Sequence, residues 1–260
     1  MLRGLGVSVK EGEMVSIIGP SGSGKTTLLN IIGGLDKATA GLVQVGDTEV
    51  TVLSTSQLVD FRRKTVGHIF QTLNLIPTLT AAENIDLPMI AMGVPRSKRT
   101  KRIKTLLDVV GLTDRANHKP EELSGGEQQR VAIAVALAND APLILAEAPT
   151  GELDTVNAKI MVDYLVKVNS ELGKTIVMVT HDPRVARATH RILRIEDGMI
   201  KGAFTPDQVL EKETAVSYVD QIRAKLTDID KRLEKLDEEF RAGNINGDEY
   251  VEHRQRLKQT

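Results

Sequence analysis

A glycine-rich segment between an apolar run and a helix-forming run constrains the fold of this chain more than any other feature. Residues 19–26 match the phosphate-binding pattern G-x-x-x-x-G-K-S/T in full. The apolar residues 14–18 before it predict a buried strand, and residues 26–32 after it can open a helix. Such a strand–loop–helix unit turns backbone N–H groups and a helix N-terminus towards an anion. The segment therefore predicts an α/β fold with a nucleotide-phosphate site.

The side chains of this loop have separate expected roles. Lys25 should reach the β- and γ-phosphates, and the hydroxyl of Thr26 should bind Mg²⁺. The glycines let the backbone approach the phosphates closely. The segment expected to bind the nucleotide comprises Gly19, Pro20, Ser21, Gly22, Ser23, Gly24, Lys25, Thr26 and Thr27.

A second candidate anion site begins at Ser124, where Gly125 and Gly126 precede an Ala-rich run. The Ser124 hydroxyl and the N–H groups of the two glycines would lie at a helix start, which favours a bound anion. Glu127 follows Ser124 by three residues, so the same segment also has the pattern of a capping box. Both interpretations can hold together.

The order of these two motifs, with L-S-G-G-E-Q-Q-R at residues 123–130, resembles the ATP-binding subunits of ATP-binding-cassette (ABC) transporters over residues 2–200. The resemblance implies a P-loop NTPase core with a parallel sheet and a helical subdomain at residues 72–138. It also implies a head-to-tail dimer of identical or different subunits that encloses two molecules of Mg-ATP. In such a dimer Ser124, Gly125, Gly126 and Gln128 contact the ATP held by the other subunit's loop.

The resemblance assigns four further positions. Gln71 matches the glutamine that contacts Mg²⁺ and couples to the membrane partner, and Glu147 falls on the usual Walker-B aspartate. Asp154 matches the aspartate of the loop that crosses the dimer interface, and His181 matches the histidine that senses the γ-phosphate. The implied metal ligands are Thr26, Gln71 and Glu147, and the implied catalytic residues are Gln71, Glu147 and His181.

Ala148 stands where this family carries its catalytic glutamate. A positioned carboxylate contributes typically about 10²–10⁴-fold to a rate, so slow hydrolysis is expected. Three explanations compete: an engineered ATP trap, a natural degenerate site that is one half of a heterodimer, and residual activity through His181 or another group. Glu147 in place of aspartate and Val135 in place of the family's arginine favour natural drift. The alternative function is a non-hydrolytic, ATP-dependent dimerisation switch.

Residues 74–85, 118–124 and 181–186 resemble the lipoprotein-releasing and macrolide-export (LolD/MacB-like) subgroup. That resemblance implies a membrane permease on a separate chain, and a cytoplasmic subunit peripheral on the inner face of the cell membrane. No apolar run in the sequence approaches the roughly 20 residues needed to cross a bilayer. A net charge of −1 argues against a nucleic-acid partner. Soluble cassettes of translation or DNA repair usually carry two cassettes or a long coiled-coil insertion, and neither is present.

Both ends of the sequence carry further expectations. Residues 1–13 contain no aromatic residue to stack on adenine, whereas the family usually has one on an earlier strand. Such stacking is worth about 1–3 kcal/mol, so we expect weaker nucleotide binding or a misassigned start. After the cassette at residues 1–205, heptad spacing over residues 219–240 predicts a helical hairpin or coiled coil within residues 206–260. This extension is either an oligomerisation module or a helix folded onto its own domain.

Overall fold

A six-stranded sheet forms the centre of the computed structural model, which describes residues 2–151, 154–180 and 182–208. Five strands are parallel, and the last edge strand is antiparallel to its neighbour. A separate two-stranded hairpin consists of β2 (Gln44–Val45) and β3 (Thr48–Glu49). The strands of the main sheet, in spatial order, are β4 (Val66–Ile69), β5 (Leu143–Glu147), β6 (Thr175–Val179), β1 (Met14–Ile18), β7 (Arg191–Glu196) and β8 (Met199–Phe204).

Seven α-helices connect or flank these strands in the described part of the chain. Thr80 and Ser124 each form a capping box with the glutamate three residues later, which explains where two of these helices begin. The segment predicted as a helical subdomain, residues 72–138, contains three α-helices; residues 70–80 form a loop, and residues 110–124 contain only single 3-10 turns. The helices are α1 (Lys25–Ile32), α2 (Thr55–Thr65), α3 (Ala81–Ala91), α4 (Arg96–Val109), α5 (Gly125–Ala136), α6 (Thr155–Leu172) and α7 (Pro183–Ala186).

The central strands are apolar on both faces because both faces are covered. Alternate residues of β1 enter two different hydrophobic clusters: Met14 packs with α3 to α6, and Val15 and Ile17 pack with α1 and α2. Successive side chains of a strand point to opposite faces, so a nearly continuous apolar run is the expected sequence of a doubly covered parallel strand. The strand predicted at residues 14–18 is confirmed as β1, and β5 and β6 show the same nearly continuous apolar pattern.

The candidate site lies at the carboxyl ends of the parallel strands. The glycine-rich loop follows β1, and Glu147 ends β5 two strands away, with β6 between them. Ligands of open parallel sheets bind outside the carboxyl ends of the strands, so this edge is the expected place for a nucleotide. No helix in the described ranges is long and apolar enough to cross a membrane.

Asp140 forms ion pairs that connect helix α4 to the start of strand β6. Its carboxylate lies 3.0 Å from Lys174 Nζ, just before β6, and 3.1 Å from a guanidinium nitrogen of Arg102 on α4. Partial burial alone would raise the pKa of Asp140, but the hydrogen bond and charge of Lys174, followed by Arg102, lower it below its ordinary value. The backbone of Asp140 is left-handed, with φ 61°.

Replacing Asp140 with asparagine should lower the free energy of unfolding at neutral pH by about 0.5–1 kcal/mol, because more than half of this side chain is exposed and water screens the pair. Asparagine tolerates the left-handed backbone, so the change removes charge alone. The folded-state pKa is lowered, so this stabilisation is present at neutral pH and is lost as the pH falls through that value. Urea denaturation at neutral and acid pH measures it, with exposed Asp108→Asn as the control; a difference that persists in acid would contradict the assignment.

Candidate nucleotide-binding site

The glycine-rich loop is built for close approach to the backbone. Gly22 and Gly24 have φ values of 77° and 97°, which side chains rarely adopt. A Cβ atom on Gly19 would lie 2.0 Å from the carbonyl oxygen of Ile195, so no larger residue fits there. Gly24 precedes α1, and no side chain caps that helix end. The first N–H groups of α1 are therefore left for an anion.

Lys25 places its ammonium against the same loop. Its Nζ donates to the carbonyl oxygens of Gly19 at 2.9 Å and Pro20 at 2.8 Å. Partial burial lowers the pKa of the Lys25 ammonium below its ordinary value. A phosphate group arriving in the loop would offer this cation charged acceptors in place of neutral carbonyls, and charge-assisted hydrogen bonds are the stronger ones.

Thr26 and Glu147 meet across the sheet, although they lie far apart in sequence. The hydroxyl of Thr26 donates to Oε1 of Glu147 at 2.5 Å. The longer arm of glutamate at this position therefore still reaches the threonine that the phosphate loop presents. A hydroxyl and a carboxylate side by side are the oxygen donors that Mg²⁺ prefers, usually together with substrate phosphates. No cluster of three or more His, Cys, Asp or Glu side chains suited to a metal occurs in the described residues.

Gln71 and Ala148 both lie close to Gly151. A Cβ atom built on Gly151 would lie 3.5 Å from the methyl group of Ala148 and 3.8 Å from Nε2 of Gln71. The structure thus brings Gln71, from the loop after β4, towards the turn that follows Glu147. The Mg²⁺ role that the resemblance implies for Gln71 stays a prediction.

The turn at Ala148 is fixed by its backbone. Its N–H donates to the carbonyl oxygen of Val179 at 2.8 Å, and its own carbonyl accepts from the N–H of Gly151 at 2.9 Å. The φ of Ala148 is 41°, in the left-handed region. A methyl group at this held position carries no atom that can accept a proton or orient water.

The second anion site has the capping box that the sequence predicts. Oε2 of Glu127 accepts from the Ser124 N–H at 2.8 Å and from its hydroxyl at 2.9 Å. These two hydrogen bonds lower the pKa of Glu127 below its ordinary value, and Arg115 lowers it further. The hydroxyl of Ser124 is therefore already engaged, and a phosphate at this turn would have to draw it away from Glu127. Gln128 donates to the carbonyl of Leu123 at 3.1 Å and lies beside the same turn.

Asp154 begins α6 and caps it. Its carboxylate accepts from the backbone N–H of Asn157 at 2.9 Å and from Nδ2 of the same residue at 2.6 Å. Sequence reasoning missed Asn157, although a potential helix cap followed by asparagine at the third helical position was visible. His181 and the loop residues 152 and 153 lie outside the described residues, as does the predicted extension beyond residue 208.

Gln129 is a second residue that the sequence did not reveal. It is 5% exposed, and its Nε2 donates to the carbonyl oxygen of Pro149. A buried polar side chain in the middle of an apolar helix needs a partner, because an unsatisfied amide costs free energy. That requirement was readable from the sequence, whereas the partner was not.

Comparison with known proteins supplies relatives of the whole cassette. The family described as ABC transporter matches residues 2–151. The lipoprotein-releasing system ATP-binding protein LolD of Aquifex aeolicus is 49% identical over 79% of this chain and 91% of its own. The macrolide export ATP-binding/permease protein MacB of Aggregatibacter actinomycetemcomitans is 47% identical over 77% of this chain and 31% of its own. A dimeric cassette of Methanocaldococcus jannaschii, solved bound to ADP and Pi, superposes with a TM-score of 0.72 at 47% identity, over 79% of this chain and 90% of that one.

Proposed function

The chain belongs to the ABC transporter family as an ATP-binding subunit, and we propose that it closes head to tail with a second subunit around Mg-ATP and hydrolyses it slowly. The observation that carries this proposal is the pairing of an intact phosphate site with a methyl group at Ala148. The Thr26–Glu147 contact and the Lys25 ammonium are in place for binding. The group that would activate water is not.

Nucleotide binding draws on two sources in this chain. The loop between β1 and α1 offers backbone N–H groups and the positive end of a helix dipole. Lys25 adds a fixed positive charge at the same place. Together they would neutralise bound phosphates without a change in the backbone of the loop. Gly22 and Gly24 already have backbone conformations that other residues rarely adopt, and Gly19 lies where no side chain fits.

The oxygen pair of Thr26 and Glu147 fits a bound Mg²⁺, and the resemblance adds Gln71 as a third ligand. Such an ion would supply positive charge against the charge that develops on the phosphates. Here the hydroxyl and carboxylate would hold it, and Glu147 would thereby be occupied. That occupation leaves Glu147 poorly placed to serve as a base for water as well.

Slow hydrolysis follows from the turn at Ala148. Attack on the γ-phosphorus needs a water molecule held in line and relieved of a proton. The backbone of Ala148 is held by Val179 and Gly151, so a neighbouring carboxylate does not gain this position by a small shift. The dimer should consequently persist with ATP inside it.

The permease is proposed as a separate chain, with this subunit in the cytoplasm on the inner face of the membrane. The LolD relative, an ATP-binding protein of a lipoprotein-releasing system, is covered almost end to end. The MacB relative joins ATP-binding and permease parts, and this chain spans about a third of its length. On α3, Leu87 and Ile90 are large apolar side chains that are 41% and 50% exposed, and they are candidate contacts for such a partner.

A second candidate function is an ATP-dependent dimerisation switch that never hydrolyses, including the degenerate half of a heterodimer. Ala148 favours it directly, since a switch needs the phosphate sites and not the water-activating group. The two functions differ in whether the closed dimer hydrolyses its ATP at all.

Sedimentation velocity tests the proposed closure on the full chain. Mg-ATP should raise the sedimentation coefficient above that of the nucleotide-free chain, by doubling the mass or by compacting subunits that are already paired. Mg-ADP should not, because it lacks the γ-phosphate that joins both halves. Equal coefficients in Mg-ATP, in Mg-ADP and without nucleotide would refute ATP-driven closure.

Thr26→Val should weaken the Mg²⁺-dependent part of ATP binding by roughly tenfold, which is one lost charge-assisted contact. Valine has nearly the same shape but no hydroxyl for the ion or for Glu147. Titration of ATP with Mg²⁺ and with EDTA measures the effect, which should vanish in EDTA. Thr26→Ser keeps the hydroxyl and should bind like the parent; an equal loss in EDTA would mean that Thr26 acts on the loop and not on the metal.

A further inference from the structure

Asn157, in the first turn of α6, contacts both Asp154, which precedes that helix, and the first turn of α5. Its backbone N–H and its side-chain Nδ2 both donate to the carboxylate of Asp154. Its Oδ1 faces the first turn of α5, where a Cβ atom on Gly126 would lie only 2.6 Å away. The side chain therefore lies between Asp154, at the start of α6, and the turn that contains Ser124 and Gly126.

Gly126 is a glycine because of this approach. It is buried, and its φ is not positive, so backbone conformation does not require glycine there. What requires it is space, since any side chain would overlap the amide of Asn157. The first turns of α5 and α6 therefore pack closely at this point, with the amide of Asn157 against Gly126.

Gln129 adds a second connection one turn further along α5. Its buried amide donates to the carbonyl of Pro149, the residue after Ala148. The start of α5 is therefore attached at two points to the segment that runs from β5 into α6. An element attached at both points moves with that segment and not independently of it.

We propose that Asn157 is a positioning residue, which fixes the phosphate-contacting turn at residues 124–126 relative to Asp154 of the same chain. The inference rests on the proposed ATP-bridged dimer, in which that turn closes over the other subunit's γ-phosphate. With Asn157 in place, the turn is held in one position before the phosphate arrives. Because preorganised donors cost little to align, displacing them by a fraction of an ångström weakens the clamp.

Asn157→Ala isolates this role. The backbone N–H at position 157 still caps α6 through Asp154, and alanine is a favourable helix residue, so the helix start is preserved. Only the amide between Asp154 and Gly126 is removed. Asn157→Asp is the matched variant, because it keeps the volume against Gly126 but sets a second carboxylate against that of Asp154.

The test measures how fast labelled ATP leaves the full-length chain after a chase with excess unlabelled ATP. ATP enclosed between subunits leaves only when the dimer opens, so release reports the clamp. We expect both Asn157 variants to release ATP about tenfold faster, the effect of one lost positioning hydrogen bond. Mg-ADP affinity and the thermal midpoint should match the parent, because Mg-ADP occupies the loop of its own subunit alone. Lys159→Ala, an exposed change on the same helix, is the control and should release ATP at the parent rate.

Gly126→Ala completes a double-mutant cycle. Alone, its Cβ would displace the Asn157 amide and speed release. Combined with Asn157→Ala, it meets only the Cβ atom of residue 157, at an ordinary contact distance of 3.6 Å, so the double variant should release ATP more slowly than the two single effects predict together. Additive effects would refute a role that runs through this contact.

Two other outcomes would also overturn the inference. Parent-like release from Asn157→Ala is one, and a parallel fall in thermal midpoint and Mg-ADP affinity, which marks a purely structural role, is the other. Failure of the proposed function looks different. In that case the parent chain itself would release ATP as fast as it releases Mg-ADP.

Discussion

Ala148→Glu is expected to raise steady-state Mg-ATP hydrolysis by about 10²–10⁴-fold, the usual contribution of a positioned base. The backbone at this position is held by Val179 and Gly151 and is left-handed for alanine already, so glutamate meets no new backbone strain. The methyl group is half-buried beside Gln71, and a longer side chain would reach out from the end of β5. Phosphate release by the purified chain measures the gain.

Ala148→Gln is the matched control for this gain. Glutamine has the size of glutamate and can orient water, but it cannot take a proton at neutral pH. It should therefore remain well below Ala148→Glu. Equal rates for both variants would mean that side-chain size, and not a base, limits this site. A parent as fast as Ala148→Glu would mean that another group activates water.

Lys25→Ala is expected to weaken Mg-ATP affinity by roughly 100-fold, since two charge-assisted hydrogen bonds to phosphate are lost, each worth about 1.5–3 kcal/mol before the loop relaxes. In the structure the ammonium bonds to Gly19 and Pro20, so its removal also leaves two loop carbonyls without this donor. Titration calorimetry measures the affinity, and a thermal scan checks that the loop change has not unfolded the chain.

Lys64→Ala, at the exposed end of α2, removes the same charge far from the loop in sequence and is the control. It should bind Mg-ATP like the parent. An unchanged affinity for Lys25→Ala would contradict the assignment of residues 19–26 as the phosphate site, whatever the hydrolysis rate. Loss of affinity in both variants would point to net charge instead of a specific contact.

Most of the fold could be predicted from local patterns in the sequence. The apolar run of β1, the glycine-rich loop and the start of α1 lie within a few residues of one another, so their order alone predicts the unit. The Ser124–Glu127 capping box is equally local and is confirmed. The same signal at Ser54 and Gln57 marks the start of α2 and could have predicted that helix.

Contacts between distant segments were not predictable in this way. Asn157 against Gly126, Gln129 on Pro149 and Lys174 on Asp140 join residues whose proximity depends on how helices pack on the sheet. A single sequence indicates that a buried amide needs a hydrogen-bond partner and that a lone glycine can mark a close contact. It does not show which neighbouring residue makes that contact. The resemblance to a family did place Thr26 and Glu147 at one metal site, and their contact at 2.5 Å agrees with that expectation.

The sequence did not show whether Glu147 can replace the usual aspartate, because its side chain is longer by one methylene group. In the structure the longer side chain still accepts the Thr26 hydroxyl, so the substitution is compatible with holding an ion. Ala148 has no such compensation, since a methyl group cannot extend. We therefore expect the two neighbouring departures from the family pattern to have unequal consequences: Glu147 should still allow Mg-ATP to bind, whereas Ala148 should slow its hydrolysis.

The most direct test of this account identifies the nucleotide inside the closed assembly. The full chain is incubated with Mg-ATP, freed of unbound nucleotide by gel filtration, and denatured so that its bound nucleotide can be separated by ion-exchange chromatography. We expect a closed assembly whose bound nucleotide is mainly intact ATP, whereas the assembly formed by Ala148→Glu under the same incubation should hold mainly ADP. Equal ADP fractions in the two chains, or a parent chain that holds no nucleotide at all, would contradict this.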